Sequence, residues 1–119
     1  MSAMASKQFQ GEFAVWSFTT GHGRLLLRRT KSDAHPTRVD ILLTDVGWMC
    51  LPMTFTDLQL REVAIEEIRS MLGGAGALRE KGRKAFVLSG ASSTGYMLAG
   101  AFAVHEDDGE YNDPSALLE

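Results

Sequence analysis

The chain has 119 residues, of which 45% are hydrophobic and 23% charged. This is enough for one hydrophobic core but too little for two, and the composition excludes collagen, a coiled coil and wholesale disorder. No apolar run reaches the roughly 18 residues that a membrane-spanning helix needs. The N-terminal residues lack the apolar stretch of a secretory signal, and the single cysteine, Cys50, can form no internal disulfide. We therefore expect a cytoplasmic protein with no membrane partner.

Residues 1–8 are small and polar without periodicity, which predicts a disordered N-terminal tail. Residues 12–19 are rich in aromatic and β-branched side chains, as is typical of a strand. The glycine-rich turn at residues 21–23 leads into a second apolar run over residues 24–30. These two runs predict a β-hairpin.

A second hairpin is predicted next in the chain. Val39, Ile41 and Leu43 alternate with mostly polar residues, which indicates a half-buried antiparallel strand. A short turn precedes residues 48–55, which we interpret as the returning strand. Pro52 cannot donate a ladder hydrogen bond, so this strand is expected at an edge or a bulge.

Residues 56–61 match either a helix capping box or a strand alternation, and we favour a short strand. A main α-helix is predicted over residues 62–72. When residues 64–72 are projected at 100° per residue, five apolar side chains share one arc of about 120°. They are Ala64, Ile65, Ile68, Met71 and Leu72. Gly73 and Gly74 follow as a C-terminal stop.

Residues 83–89 and 96–105 predict two more strands. The second has a face of alanines, against which we expect the helix to pack. The elements sum to an α+β domain over residues 9–105, dominated by an antiparallel sheet of six or seven short strands. We expect this sheet to be strongly curved or barrel-like.

The net charge of −3 hides an asymmetry along the chain. All twelve Lys and Arg lie within residues 1–84, whereas residues 85–119 hold six acids and no base. Five of these acids lie close together, and they are Glu106, Asp107, Asp108, Glu110 and Asp113. We interpret residues 106–119 as an acidic C-terminal segment that forms a solvated turn or tail; the alternative is a contact surface, either for a basic partner or for the domain's own basic strand. The charge balance argues against nucleic acid as a partner.

The sequence contains no catalytic motif, and it predicts no catalytic residue, cofactor or metal site. Cys50 lies between Met49 and Leu51, which predicts a buried, unreactive thiol. The histidines lack the spacing of zinc ligands. The glycines at residues 73–76 follow a predicted helix instead of preceding one, so they do not form a phosphate loop.

Our leading hypothesis is a non-catalytic protein-interaction module. It would use a β-surface and the acidic C-terminal segment to bind another protein, with a homodimer through an edge strand as an open alternative. A different class of function is a small-ligand-binding protein or an enzyme with a pocket inside the curved sheet. That pocket would be lined by Trp16, His22, Trp48, Tyr96 and His105.

Overall fold

A computed structural model of the protein describes residues 4–77 and 82–118. Ten strands lie within these residues: β1 (Ser6–Gln8), β2 (Glu12–Thr19), β3 (Arg24–Arg29), β4 (Arg38–Thr44), β5 (Trp48–Cys50), β6 (Thr54–Thr56), β7 (Gln59–Val63), β8 (Lys84–Ser89), β9 (Thr94–Ala99) and β10 (Ala101–Asp107). The helical elements are 3-10 turns at Ile65–Glu67 and Ala116–Leu118 and one α-helix, α1 (Arg69–Ala77). None of the described helices is long and apolar enough to cross a membrane.

The strands form two five-stranded antiparallel sheets. Sheet A has the order β1-β7-β8-β9-β5, and sheet B has the order β10-β4-β3-β2-β6. The sheets share one core, to which both contribute buried side chains, among them Phe13, Leu27, Ile41, Leu60, Phe86 and Met97. Neither sheet closes on itself, so the domain is mainly β, and the expected α+β class and barrel-like shape are not confirmed.

The first predicted hairpin is confirmed, because β2 pairs with β3, with a register shift between Val15 and Ser17. The second predicted hairpin is wrong, since β4 pairs with β3 and β10 and not with β5. Asp45 adopts a positive φ of 53°, and the chain leaves sheet B at this turn. The N–H of Gly47 then donates to the carbonyl of Leu98, which begins the pairing of β5 with β9 in sheet A.

The short strand favoured for residues 56–61 is confirmed in part, because β7 begins only at Gln59 and continues to Val63. The predicted helix over residues 62–72 is therefore displaced toward the C-terminus. Glu62 and Val63 pair with β8, and Ala64 is extended without a side-chain cap. The 3-10 turn follows, and α1 is interrupted at Gly73, which has a φ of 62°. The ladder hydrogen bonds with β8 hold the first predicted helical residues in a strand.

The predicted strand over residues 96–105 is two strands, because the chain passes from sheet A to sheet B at Gly100. A Cβ at Gly100 would lie 3.0 Å from that of Asp45, so a larger residue at this crossing would have to displace the Asp45 side chain. The helical residues do not pack on the alanines of this region. Ile68 and Leu72 are buried instead against the outer face of sheet A.

The N-terminal residues also differ from the expected disordered tail. Residues 6–8 form β1, which pairs with β7, and the N–H of Glu62 donates to the carbonyl of Ala5. These bonds use backbone groups alone, so the polar side chains of this segment gave no sign of them. Residues 1–3 of the predicted tail, and Glu119 at the other end, lie outside the described residues.

Candidate interaction surface

The outer face of sheet B, turned away from sheet A, carries three buried charged residues. Arg28 on β3 and Arg38 on β4 are each 2% exposed, and Asp40 on β4 is 1% exposed. Strand alternation explains their position, since the neighbouring Val39 and Ile41 point into the core between the sheets. The cover over these charges comes from residues 108–118, which we call the C-terminal strap.

Arg38 is the principal anchor of this strap. Its Nε and Nη2 donate to the two carboxylate oxygens of Asp107, each at 3.0 Å. Its Nη1 donates to the carbonyls of Glu110 at 3.0 Å and Asp113 at 2.7 Å, and its Nη2 also donates to that of Pro114 at 3.2 Å. One guanidinium thus binds the end of β10 and two separate parts of the strap, at Glu110 and at residues 113–114. Its planar group of N–H donors allows this.

Gly109 and Asp107 are fitted closely to this guanidinium. A Cβ at Gly109 would lie 2.6 Å from Cζ of Arg38, so no larger residue fits there without displacement. The hydrogen bonds from Arg38 lower the pKa of Asp107, and the backbone N–H of Gly109 and the charge of His105 act in the same direction. The same pairing with Asp107 raises the pKa of Arg38. Asp107 is therefore a carboxylate at neutral pH.

Arg28 and Asp40 form a second anchor, beneath the middle of the strap. Nε and Nη2 of Arg28 donate to the two carboxylate oxygens of Asp40 at 2.7 and 3.0 Å. The remaining Nη1 donates to the carbonyl of Tyr111 at 3.1 Å. The Tyr111 ring meets that of Trp16 edge to face at 5.0 Å, and Cζ of Arg28 lies 5.1 Å from the Trp16 ring centroid. These hydrogen bonds and the contact with the Trp16 ring offset the free-energy cost of removing the Arg28–Asp40 pair from water.

A third, more exposed cation completes the attachment. Nζ of Lys31 donates to a carboxylate oxygen of Glu110 at 2.7 Å and to the carbonyl of Asp108 at 2.9 Å. The hydrogen bond to Glu110 raises the pKa of Lys31. The acidic segment thus contacts the domain's own cations on β3 and β4 and in the loop between them. This contact is one of the two alternatives that the sequence left open.

The remaining carboxylates of the segment point outward. Among the described residues, no cation lies within 4.0 Å of Glu106, Asp108 or Asp113, and all three are exposed. Glu106 accepts a hydrogen bond from the hydroxyl of Thr37, and Asp113 accepts one from the N–H of Glu110. The end of β10 and the strap therefore present three exposed carboxylates, one from β10 and two from a strap that buried arginines hold in place.

Of the five residues expected to line a pocket, Trp48 and Tyr96 lie in one cluster, and the other three lie elsewhere. Trp16 lies under the strap, His22 is exposed in the turn between β2 and β3, and His105 lies 3.4 Å from Asp107. Trp48 and Tyr96 pack with the helical residues on the outer face of sheet A. The space between the sheets, where the pocket was expected, is filled by core side chains.

Cys50 is exposed, so the prediction of a buried thiol is wrong. Cys50 lies on β5, one of the two edge strands of sheet A, opposite Tyr96 of β9, and no other described strand pairs with the outer side of β5. Within residues 4–77 and 82–118, no three His, Cys, Asp or Glu side chains are grouped as metal ligands would be.

Comparison of the chain with protein families, with curated proteins and with solved structures finds no match in any of the three.

Proposed function

We propose that this protein is a non-catalytic interaction module that binds a basic partner protein through the exposed carboxylates of Glu106, Asp108 and Asp113. The observation that carries the proposal is the attachment of the strap by Arg28, Arg38 and Lys31. A flexible acidic tail would lose conformational entropy when it bound a partner. Carboxylates on a fixed backbone lose less, so more of the Coulomb attraction contributes to affinity.

The charges of this face support a partner of opposite sign. The guanidinium groups of Arg28 and Arg38 are committed to the strap and to their own carboxylates, which leaves the unpaired acids to face solvent. Such a surface attracts a basic protein and speeds its association, and added salt weakens both effects. We place the module in the cytoplasm, because an exposed free thiol such as that of Cys50 persists in a reducing compartment.

The test is affinity capture from the native cell at low and at high salt, with the captured proteins identified by mass spectrometry. The test variant is Glu106→Gln/Asp108→Asn, which keeps the side-chain shapes and removes two charges. The control is Glu66→Gln/Glu67→Gln, which removes two exposed charges from the 3-10 turn beside the outer face of sheet A. We expect a basic protein that the wild type and the control retain at low salt, and that the test variant and high salt release. Equal capture by the test variant, or no capture at low salt, would contradict the proposal.

A further inference from the structure

The four sheet edges of this protein are not alike. Three of them, β1, β5 and β6, are strands of only three residues. The fourth, β10, is seven residues long, and no described residue pairs with its outer edge. The 3-10 turn at Ala116–Leu118 contacts β10 without joining the sheet. A long free edge offers a row of unpaired backbone N–H and C=O groups.

This edge also lacks three of the features that usually prevent strand pairing. Natural edge strands are protected by lysine, proline or a bulge. The first edge carries Lys7 in β1, and Pro52 follows β5 closely, but β10 contains neither residue type. Its register with β4 runs without a shift from Ala101 opposite Thr44 to Asp107 opposite Arg38.

The side chains of β10 leave its backbone accessible. Ala101 and Ala103 are exposed and small, so they do not shield the neighbouring peptide groups. Val104 is 38% exposed and offers an apolar contact. Glu106 and Asp108 lie at the C-terminal end of the strand and have no cation partner among the described residues. An incoming strand therefore meets backbone hydrogen-bonding groups along its length and negative charge at one end.

We propose that the basic partner contributes an extended segment that pairs with β10 as a sixth strand of sheet B. This inference rests on the proposed function, and it names the binding mode. Main-chain hydrogen bonds to β10 supply affinity, and lysine or arginine side chains near Glu106 and Asp108 supply specificity. A second copy of this chain fits less well, because its β10 would bring no base to these acids: residues 85–118 contain no Lys or Arg.

The test uses a nine-residue peptide of alternating threonine and lysine, with both ends blocked, and two derivatives. One derivative is N-methylated at every second residue, and the other is N-methylated at every residue. Alternate N–H groups of a strand point to opposite edges, so methylation of every second residue leaves one edge able to pair with β10, whereas methylation of every residue removes the donors on both edges. Binding is measured by NMR titration, together with amide hydrogen exchange of β10.

We expect the parent peptide and one derivative to bind with similar Kd, and the other derivative to bind at least tenfold more weakly. The fastest-exchanging amides of β10 should become protected in the complex. The variant Ala103→Lys should weaken peptide binding, whereas Thr54→Lys, on the opposite edge of sheet B, should not. Equal binding of both derivatives that depends on Glu106 and Asp108 would overturn strand addition while leaving the acidic-surface proposal intact. Absence of peptide binding, or protection of β10 that rises with protein concentration alone, would also overturn it.

Discussion

A single buried guanidinium, that of Arg38, joins one strand, the end of its neighbour and two parts of the strap. Removing it would leave Asp107 with only the Gly109 N–H and His105 as partners, and would take one donor from each of three strap carbonyls. Lysine restores the charge but not the bidentate geometry, because its ammonium is a single point of donation. The attachment thus depends on the shape of the arginine side chain as well as on its charge.

We therefore expect Arg38→Lys to lower the free energy of unfolding by about 2 kcal/mol. The control is Arg24→Lys on β3, which should cost less than about 0.5 kcal/mol, because the Arg24 side chain makes no hydrogen bond to a described residue. Urea unfolding monitored by tryptophan fluorescence measures both variants. Equal losses in the two variants would show that the strap does not depend on the guanidinium.

Asp107 gives this contact a pH dependence. Its pKa is lower in the folded protein than in the unfolded chain, chiefly through the hydrogen bonds from Arg38. The carboxylate therefore contributes its full stabilisation above the unfolded value of about 3.9, and this stabilisation is lost as pH falls through the lower folded value. The difference in unfolding free energy between wild type and Asp107→Asn should be constant from neutral pH down to about 5 and should shrink below about 4. A difference that stays constant down to pH 3 would contradict this assignment.

At the scale of the elements, strands were predictable where the pattern was local. Val39, Ile41 and Leu43 alternate with polar residues because one face of β4 lies in the core. Pairing partners were harder to predict, because hydrogen bonds between distant strands leave no periodic signal in either strand. Residues 48–50 could have paired with β4 or with β9, and the backbone turn at Asp45 decides for β9.

The helical segment shows a second limit of periodicity. Glu62 and Val63 satisfied a helical pattern, but hydrogen bonds to β8 hold them in a strand. The same shift changes which apolar residues are buried, since Ile68 lies against sheet A while Met71 is 45% exposed. Sequence periodicity correctly predicted that Ile68 and Leu72 are buried, but it wrongly included Met71 and assigned the wrong extent to the helix.

The difference in burial between Ile68 and Met71 can be tested with a matched pair of substitutions. Ile68→Asp should lower the free energy of unfolding by about 3 kcal/mol or more, because it places an unpaired charge in the cluster beneath the segment. Met71→Asp should cost less than about 1 kcal/mol, since its side chain reaches solvent. Thermal and urea unfolding measure the loss of unfolding free energy in each variant. A similar large loss in both would favour the uninterrupted helix that the sequence predicted.

At the scale of the whole molecule, each sheet has one face in the shared core and a different cover on its outer face. The helical residues cover sheet A, and the C-terminal strap covers part of sheet B. The sequence located the five acids of this region but not their anchors. Arg38 and Asp40 carry charges, which suggested that their face of β4 is solvated. Only the apolar Leu42, on the same face, indicated that this face is buried.

Backbone 15N relaxation across residues 108–118 tests the fixed strap most directly. Because hydrogen bonds from three cations hold this segment to sheet B, we expect its order parameters to match those of β3 and β4, at about 0.85. Values below about 0.6 over the same residues would describe a mobile acidic tail and would contradict a preformed acidic surface.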